Sequence, residues 1–303
     1  MTKSMTKSKL IKGSLGDRML MVFIYMLLTL IAAIVLLPLI YIVSASFSDP
    51  QAVVNNEVWL WPVRPTMRGY EAVFKNKKIL SGFGNSFFYM IVGTFVNIVM
   101  TVLCAYPLSR REFTQRNKIS AICVFTMYFS GGLIPSYMLV NSLGLIDTRL
   151  ALILPTAMST WNMIICRTYF TNTIPDELYE ASQLDGCTPF KFLVHVVLPL
   201  SKSILAVLIL YYGVAKWNSY FDAMIYLKSQ ELMPLQIVLR EILLLGNIDF
   251  TMLSDATALS EMRGLTDLLK YSTIVVASLP VLCIYPFVQK YFVKGVMIGA
   301  VKG

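Results

Sequence analysis

Six stretches of this chain stay apolar with few charges, near residues 19–43, 83–108, 119–140, 150–170, 200–224 and 271–291. A helix needs roughly 20 such residues to cross about 30 Å of hydrocarbon. The pattern therefore predicts an all-α integral membrane protein with six transmembrane helices over residues 19–294, flanked by polar segments at 1–18 and 295–303. Pro38, Pro107, Pro135, Pro155, Pro280, Pro286 and the pair Gly131-Gly132 fall inside these stretches. Packed neighbours satisfy the backbone groups that such kinks release. The run at 232–245 is interrupted by Arg240 and Glu241 and is too short to cross, so it reads as an amphipathic segment outside the bilayer. The first stretch, 25 residues long, exceeds the 7–15 residues of a secretory leader, which favours a retained helix over a cleaved one.

Composition sharpens this picture. Charged residues make up 14% of the 303, against about 25% in a typical soluble protein. Hydrophobic residues make up 56%, with a mean hydropathy of +0.66. One globular core of this size cannot bury that much apolar surface, so lipid has to serve as part of the solvent. Disorder and a nucleic-acid partner are excluded together. The net charge of +9 has its explanation in topology. With the N-terminus inside, fourteen Lys and Arg fall on the inner side, in 1–18, 109–118, 171–203 and the tail. Ten fall outside, nine of them in the long loops 44–82 and 225–270, which weigh less in the positive-inside rule. Both termini are expected in the cytoplasm, with the protein in a cytoplasmic membrane. By the same rule Lys216, toward the outer end of the fifth span, reads as snorkelling to the surface, and so does Arg167 near the inner end of the fourth.

Candidate chemistry is sparse. Cys104, Cys123, Cys166, Cys187 and Cys283 fall in spans or at their inner ends and read as small buried hydrophobes. His195 is the lone histidine and has no partners at metal-ligand spacing. No G-x-x-x-x-G-K-[ST] loop occurs, so any ATP that drives this protein is bound by another subunit.

The inner loop 171–203 is the most patterned stretch. Thr173, Pro175, Asp176 and Glu177 are helix-start signals, Gly186 is a natural stop, and Thr188-Pro189 starts a second helix leading through Leu198-Pro199 into the fifth span. Leu178, Ala181 and Asp185 share one side of the first helix, where Ala181 and Ser182 are small enough for another surface to approach. By residue physics alone this is either a docking knob or an ordinary interfacial loop.

Here the sequence resembles the membrane subunits of ATP-binding-cassette importers. Their signature is Glu-Ala-Ala, three residues, Gly, nine residues, then an aliphatic residue, any residue, and Leu-Pro. The chain has Glu180-Ala181-Ser182, Gly186, Val196-Val197 and Leu198-Pro199 at that spacing, with Ser182 the one departure. The string from Glu177 to Lys202, Trp217-Asn218 late in the fifth span and the tail from Gly299 to Gly303 are similar to the carbohydrate branch, the maltose and oligosaccharide permeases.

The resemblance implies a type I importer permease, itself not an enzyme and holding no cofactor. Its implied partners are a second homologous permease, most commonly as a heterodimer, two ATPase subunits that bind ATP and Mg, and an extracytoplasmic substrate-binding protein. Glu180, Ala181, Ser182, Asp185, Gly186, Leu198 and Pro199 become the residues that couple to the ATPase, within a loop spanning 171–199. The outer loops become a cradle for the binding protein, the alternative being a lid packed on its own bundle. The tail 295–303 becomes a probe into the ATPase dimer or a frayed end.

Trp217, Asn218 and Asp222 make a possible sugar pathway, since aromatic faces stack on pyranose rings and amide and carboxylate groups bond hydroxyls. The competing reading places them in an interfacial belt. Three other readings stay open: an importer permease for a non-sugar solute, a membrane-embedded glycolipid-processing enzyme, which needs convergent acids or His at the surface, and a proton-coupled carrier, which needs carboxylates in its spans.

Overall fold

The computed structural model describes residues 15–245, 264–284 and Pro286. The helices are α1 Leu15–Ser46, α2 Pro50–Val54, α3 Arg68–Lys75, α4 Lys77–Ser109, α5 Arg116–Tyr128, α6 Leu133–Ser142 and α7 Thr160–Thr173. They continue with α8 Asp176–Leu184, α9 Pro189–Leu200, α10 Lys202–Trp217, α11 Phe221–Tyr226, α12 Leu235–Leu245 and α13 Gly264–Ile284. The described residues contain no strand.

α4 is the pillar of the bundle. Its 33 residues rise about 50 Å, enough to pass through a bilayer and out of both faces. At one end, called here the far end, Asn85 Nδ2 donates to the carbonyls of Glu231 (2.6 Å) and Met233 (3.1 Å), and Tyr89 Oη donates to Leu232 O (2.8 Å). At the other, the hairpin end, Tyr106 Oη donates to Pro189 O (3.1 Å). α7, α10 and α12 pack along its length. Gly82 is what lets α12 come close, because a Cβ there would stand 3.1 Å from Leu235 Cα.

The six predicted crossings are realised unequally. α1, α4 and α13 are each long and apolar enough to span, and two bent pairs pass the same test together, α5 with α6 (115°) and α9 with α10 (83°). That makes three continuous spans among the described residues, or five if each bent pair crosses once, short of the six expected. The bend between α5 and α6 falls at Gly131-Gly132, where Gly132 takes a φ of +84°. The expected fourth span is helical only from Thr160, and 14 residues rise about 21 Å, short of about 30 Å of hydrocarbon.

The stretch 232–245 forms α12, whose Leu235, Val238 and Ile242 are buried against Val73, Ile79, Val276 and Ala277. α1 behaves differently from the rest. Every residue from 15 to 40 is exposed, so its apolar surface is left for lipid or another chain to cover. Residues 1–14, the end of the sixth stretch and the tail 295–303 lie outside the described residues.

Candidate functional site

The hairpin is built as its residue types dictate. α8 opens with Asp176 and Glu177 in its first turn and stops at Gly186, which adopts φ +72°, a left-handed conformation that costs glycine little. Two backbone bonds close the end, Gly186 N to Gln183 O and Cys187 N to Ser182 O, both at 2.9 Å, which is the Schellman arrangement. Ser182 Oγ turns back to donate to Tyr179 O (2.7 Å).

Thr188 then caps α9 through Lys191 N (3.3 Å), and Pro189 occupies its first position. Further on, Pro199 has no N–H to give, and its ring would press on the carbonyl four residues back. The helix answers with a wide π-type turn over Leu193–Val197, in which Leu198 N reaches Leu193 O. It then bends sharply at Ser201 before α10.

The outward side of α8 carries Leu178, Glu180, Ala181, Asp185 and Gly186, all exposed, with Ser182 half-buried behind them. Glu180 and Asp185 make no side-chain bond within the described residues. Leu184 stands at the apex, 91% exposed, and Phe190 is exposed beside the turn. A large aliphatic side chain held out this far asks for a cover from outside the chain. Leu198 packs against the core at the hairpin end, whereas Pro199 is exposed, so these two shape the bend rather than the knob.

Beneath the knob lies a feature that charge counting missed. Arg110 follows the last residue of α4 and is 5% exposed, with its guanidinium over the rings of Tyr106 (5.4 Å), Tyr179 (5.8 Å) and Phe192 (5.8 Å). None of its three nitrogens has a hydrogen-bond partner among the described residues. Arg111 turns outward instead and pairs with Asp176 at 2.8 Å. Both arginines count equally toward topology, and nothing in the Arg-Arg pair says which one turns in.

A second polar cluster lies in the bundle. After a short 3-10 turn at Arg149–Leu152, residues 153–159 are not helical; Pro155 removes a backbone donor there. Irregular backbone at membrane depth has to be satisfied by protein. Lys216 Nζ donates to Leu152 O and to Thr156 Oγ1, each at 2.6 Å, Asn97 Nδ2 donates to Thr156 O, and Ser159 N donates to Tyr212 Oη (3.1 Å). Tyr212 Oη also shares a 2.6 Å bond with Thr101 Oγ1.

Two expectations are corrected here. Lys216 does not snorkel: it is 8% exposed and its stem fills a slot left by Gly93, where a Cβ would meet it at 3.0 Å. Arg167 ties α7 to its neighbours, with Nε to Leu108 O (2.9 Å) and Nη1 to Ser120 Oγ (2.8 Å).

The possible pathway residues separate. Trp217 is 1% exposed, donates from Nε1 to Ala277 O (3.1 Å) and packs edge-on against Phe87, so its ring is taken up by the core. Asn218 is exposed and Asp222 half-buried at the break between α10 and α11, beside exposed Tyr220 and Phe221. At the far end Asp147, at φ +59°, clamps two loops together: Oδ1 accepts from Lys228 N and Ser229 N (2.8 Å each) and Oδ2 from Ser229 Oγ (2.6 Å). These bonds to the charged form hold its carboxyl below the usual range. No three His, Cys, Asp or Glu converge on a metal-sized site among the described residues.

The family model for binding-protein-dependent transport system inner membrane components matches residues 98–298, from the hairpin-side half of α4 onward. The chain belongs to this family. The similar proteins agree with that membership along nearly the whole chain. Protein LplC of Bacillus subtilis is 38% identical over 273 residues, 90% of this chain and 91% of its own. The polygalacturonan/rhamnogalacturonan transport system permease protein YtcP of the same organism is 38% identical over 287 residues, 95% of this chain and 99% of its own.

Among solved structures, a chain of a bacterial ABC transporter involved in import of the acidic polysaccharide alginate superposes with a TM-score of 0.85. It is 33% identical, and the match covers 92% of this chain and 99% of that one. Membership makes this a transporter permease of the membrane, and the enzyme and proton-carrier readings give way to it.

Proposed function

We propose that the chain forms half of the membrane pathway of an ATP-driven importer for an oligosaccharide. It docks a cytoplasmic ATPase through the hairpin and pairs with a second permease. The hairpin carries this reading: a rigid, Schellman-terminated knob that holds Glu180, Ala181, Leu184, Asp185 and Gly186 out from the bundle, in register with the signature of ATPase-coupled permeases. The sequence singled out the polar and small members. Leu184 and Phe190 add the apolar contact that a groove on the ATPase would bury. ATP and Mg then belong to that partner, and the hairpin end belongs in the cytoplasm with both termini.

An acidic oligosaccharide is the first substrate to try, because the similar solved structure is of a transporter for the acidic polysaccharide alginate and one relative is named for polygalacturonan and rhamnogalacturonan transport. For contact with sugar, Asn218 and Asp222 stay candidates, with Tyr220 and Phe221 supplying the stacking faces in place of Trp217. Trp59 and Trp61, strongly exposed on the loop between α1 and α4, suit a docking site for the extracytoplasmic binding protein.

The test is co-expression with the neighbouring permease, ATPase and binding-protein genes, then ATPase activity in nanodiscs with oligogalacturonate or maltooligosaccharide. Co-purification of an ATPase and hydrolysis stimulated by one loaded binding protein is the expected result. A chain that captures no ATPase, with Gly186→Asp indistinguishable from wild type, sinks the reading.

A further inference from the structure

We propose that Arg110 is the positioning residue that sets the pose of the coupling hairpin on α4, through a cage of aromatic faces rather than through hydrogen bonds. The proposal rests on the docking reading of the hairpin and adds a residue outside the signature that makes the knob fit to dock. Three observations carry it.

The first is connectivity. The cage joins three elements: Tyr106 comes from the last turn of α4, Tyr179 from α8 and Phe192 from α9. All three rings are buried, and Tyr179 and Phe192 also meet edge to face at 5.1 Å. The guanidinium thus touches the pillar and both arms of the hairpin together.

The second is the missing acceptor. Nε, Nη1 and Nη2 are buried without a partner, and no carboxylate lies within ion-pair distance of them among the described residues. Asp176, in the hairpin's first turn, is engaged by Arg111 instead. A planar, weakly hydrated guanidinium tolerates this better than an ammonium does, because ring faces attract its charge without needing directed bonds.

The third is leverage. Arg110 directly follows Ser109, the last residue of α4, and α4 reaches the far end, where it holds the 231–233 turn through Asn85 and Tyr89. Movement of the hairpin is thereby delivered to a helix that runs the length of the molecule. Arg110 holds the hairpin by ring faces and not by directed bonds, so the hairpin can tilt on it without breaking a bond to the guanidinium; the directed bond beside it is Tyr106 Oη to Pro189 O.

The test uses the full chain in nanodiscs. Amide hydrogen exchange of residues 176–192 is followed with Tyr179 replaced by Phe and by mono-, di- and trifluorophenylalanine, which drain the ring face of negative potential at nearly constant shape. Tyr179→Phe should exchange as wild type, because the Tyr179 hydroxyl makes no hydrogen bond within the described residues. Each fluorine should speed exchange stepwise, to about tenfold for three, which corresponds to about 1.4 kcal/mol. In the Arg110→Met background the fluorine dependence should vanish, and affinity for the co-expressed ATPase should fall about tenfold.

Exchange that ignores fluorination in the presence of Arg110 overturns the cage, and this arm needs no variant at Arg110. Faster exchange with unchanged ATPase affinity overturns the link to docking. A wild-type chain that binds no ATPase but keeps the fluorine dependence sinks the docking reading and leaves the cage standing.

Discussion

Two cations are buried among the described residues, Lys216 and Arg110, and they are accommodated in opposite ways. Lys216 directs its ammonium at oxygens, bonding Leu152 O at the end of a 3-10 turn and Thr156 Oγ1 in the non-helical segment that follows. Arg110, equally buried, meets only ring faces. The first arrangement is directional and costly to disturb, because removing the cation strands the Leu152 carbonyl and the Thr156 hydroxyl, which lipid cannot satisfy. The second is non-directional and tolerates a change of angle. The difference suits the docking role proposed for the hairpin: the 153–159 segment is held in place, whereas the contact between Arg110 and the hairpin tolerates a change of angle.

The comparison breaks most severely if Lys216 is removed. Lys216→Met should destabilise the protein by about 3 kcal/mol, the range for losing hydrogen bonds to a charged donor, seen as a lower melting temperature in detergent. Ordinary thermal stability in that variant would mean that the broken span satisfies itself. The hairpin should respond in the opposite manner. Leu184→Asp should leave melting unchanged and weaken ATPase capture by about a hundredfold, the burial of a leucine side chain converted to affinity. Capture at wild-type strength would remove the apex from the docking surface.

Gly186→Ala should cost about 1–2 kcal/mol at the left-handed position. Gly186→Asn should be milder, because Asn visits that region more readily, and comparing ATPase capture in the two separates backbone strain from steric blocking. The smallest effect belongs to Asp147. Its carboxyl is depressed in the folded state, so its clamp is fully present above the unfolded value of about 3.9 and is lost only as pH falls through the lower folded value. Asp147→Asn should therefore leave stability between pH 5 and 8 nearly flat and remove a component that wild type loses in acid, measured by melting against pH.

The hairpin was largely legible along the chain because its signals are local. Pro175, the acidic first turn, Gly186, Thr188 and Pro189 each act within a few residues of themselves, and the helices form where they point. The broken fourth span was not legible. Pro155 looks like Pro107 or Pro38, which sit inside continuous helices, and what separates them is Lys216, 61 residues away, arriving beside Gly93. Trp217 misled for a related reason: a Trp beside Asn and Asp suits a sugar or a core equally, and Ala277 decides between them. Leu184 carried a signal that was readable in principle, a large aliphatic directly before the helix stop and off the face that holds Tyr179.

By itself the sequence determined that lipid is part of the solvent, where the long apolar helices lie and how the hairpin begins and ends. Length, hydropathy and caps depend only on neighbours in the chain. Tertiary structure alone decided which cation turns inward, which proline breaks its span and which aromatic residue is left free. Those outcomes depend on what another helix brings within reach, about 3 Å for a hydrogen bond and about 6 Å from a ring centre for a cation, and no residue carries that distance in its own identity.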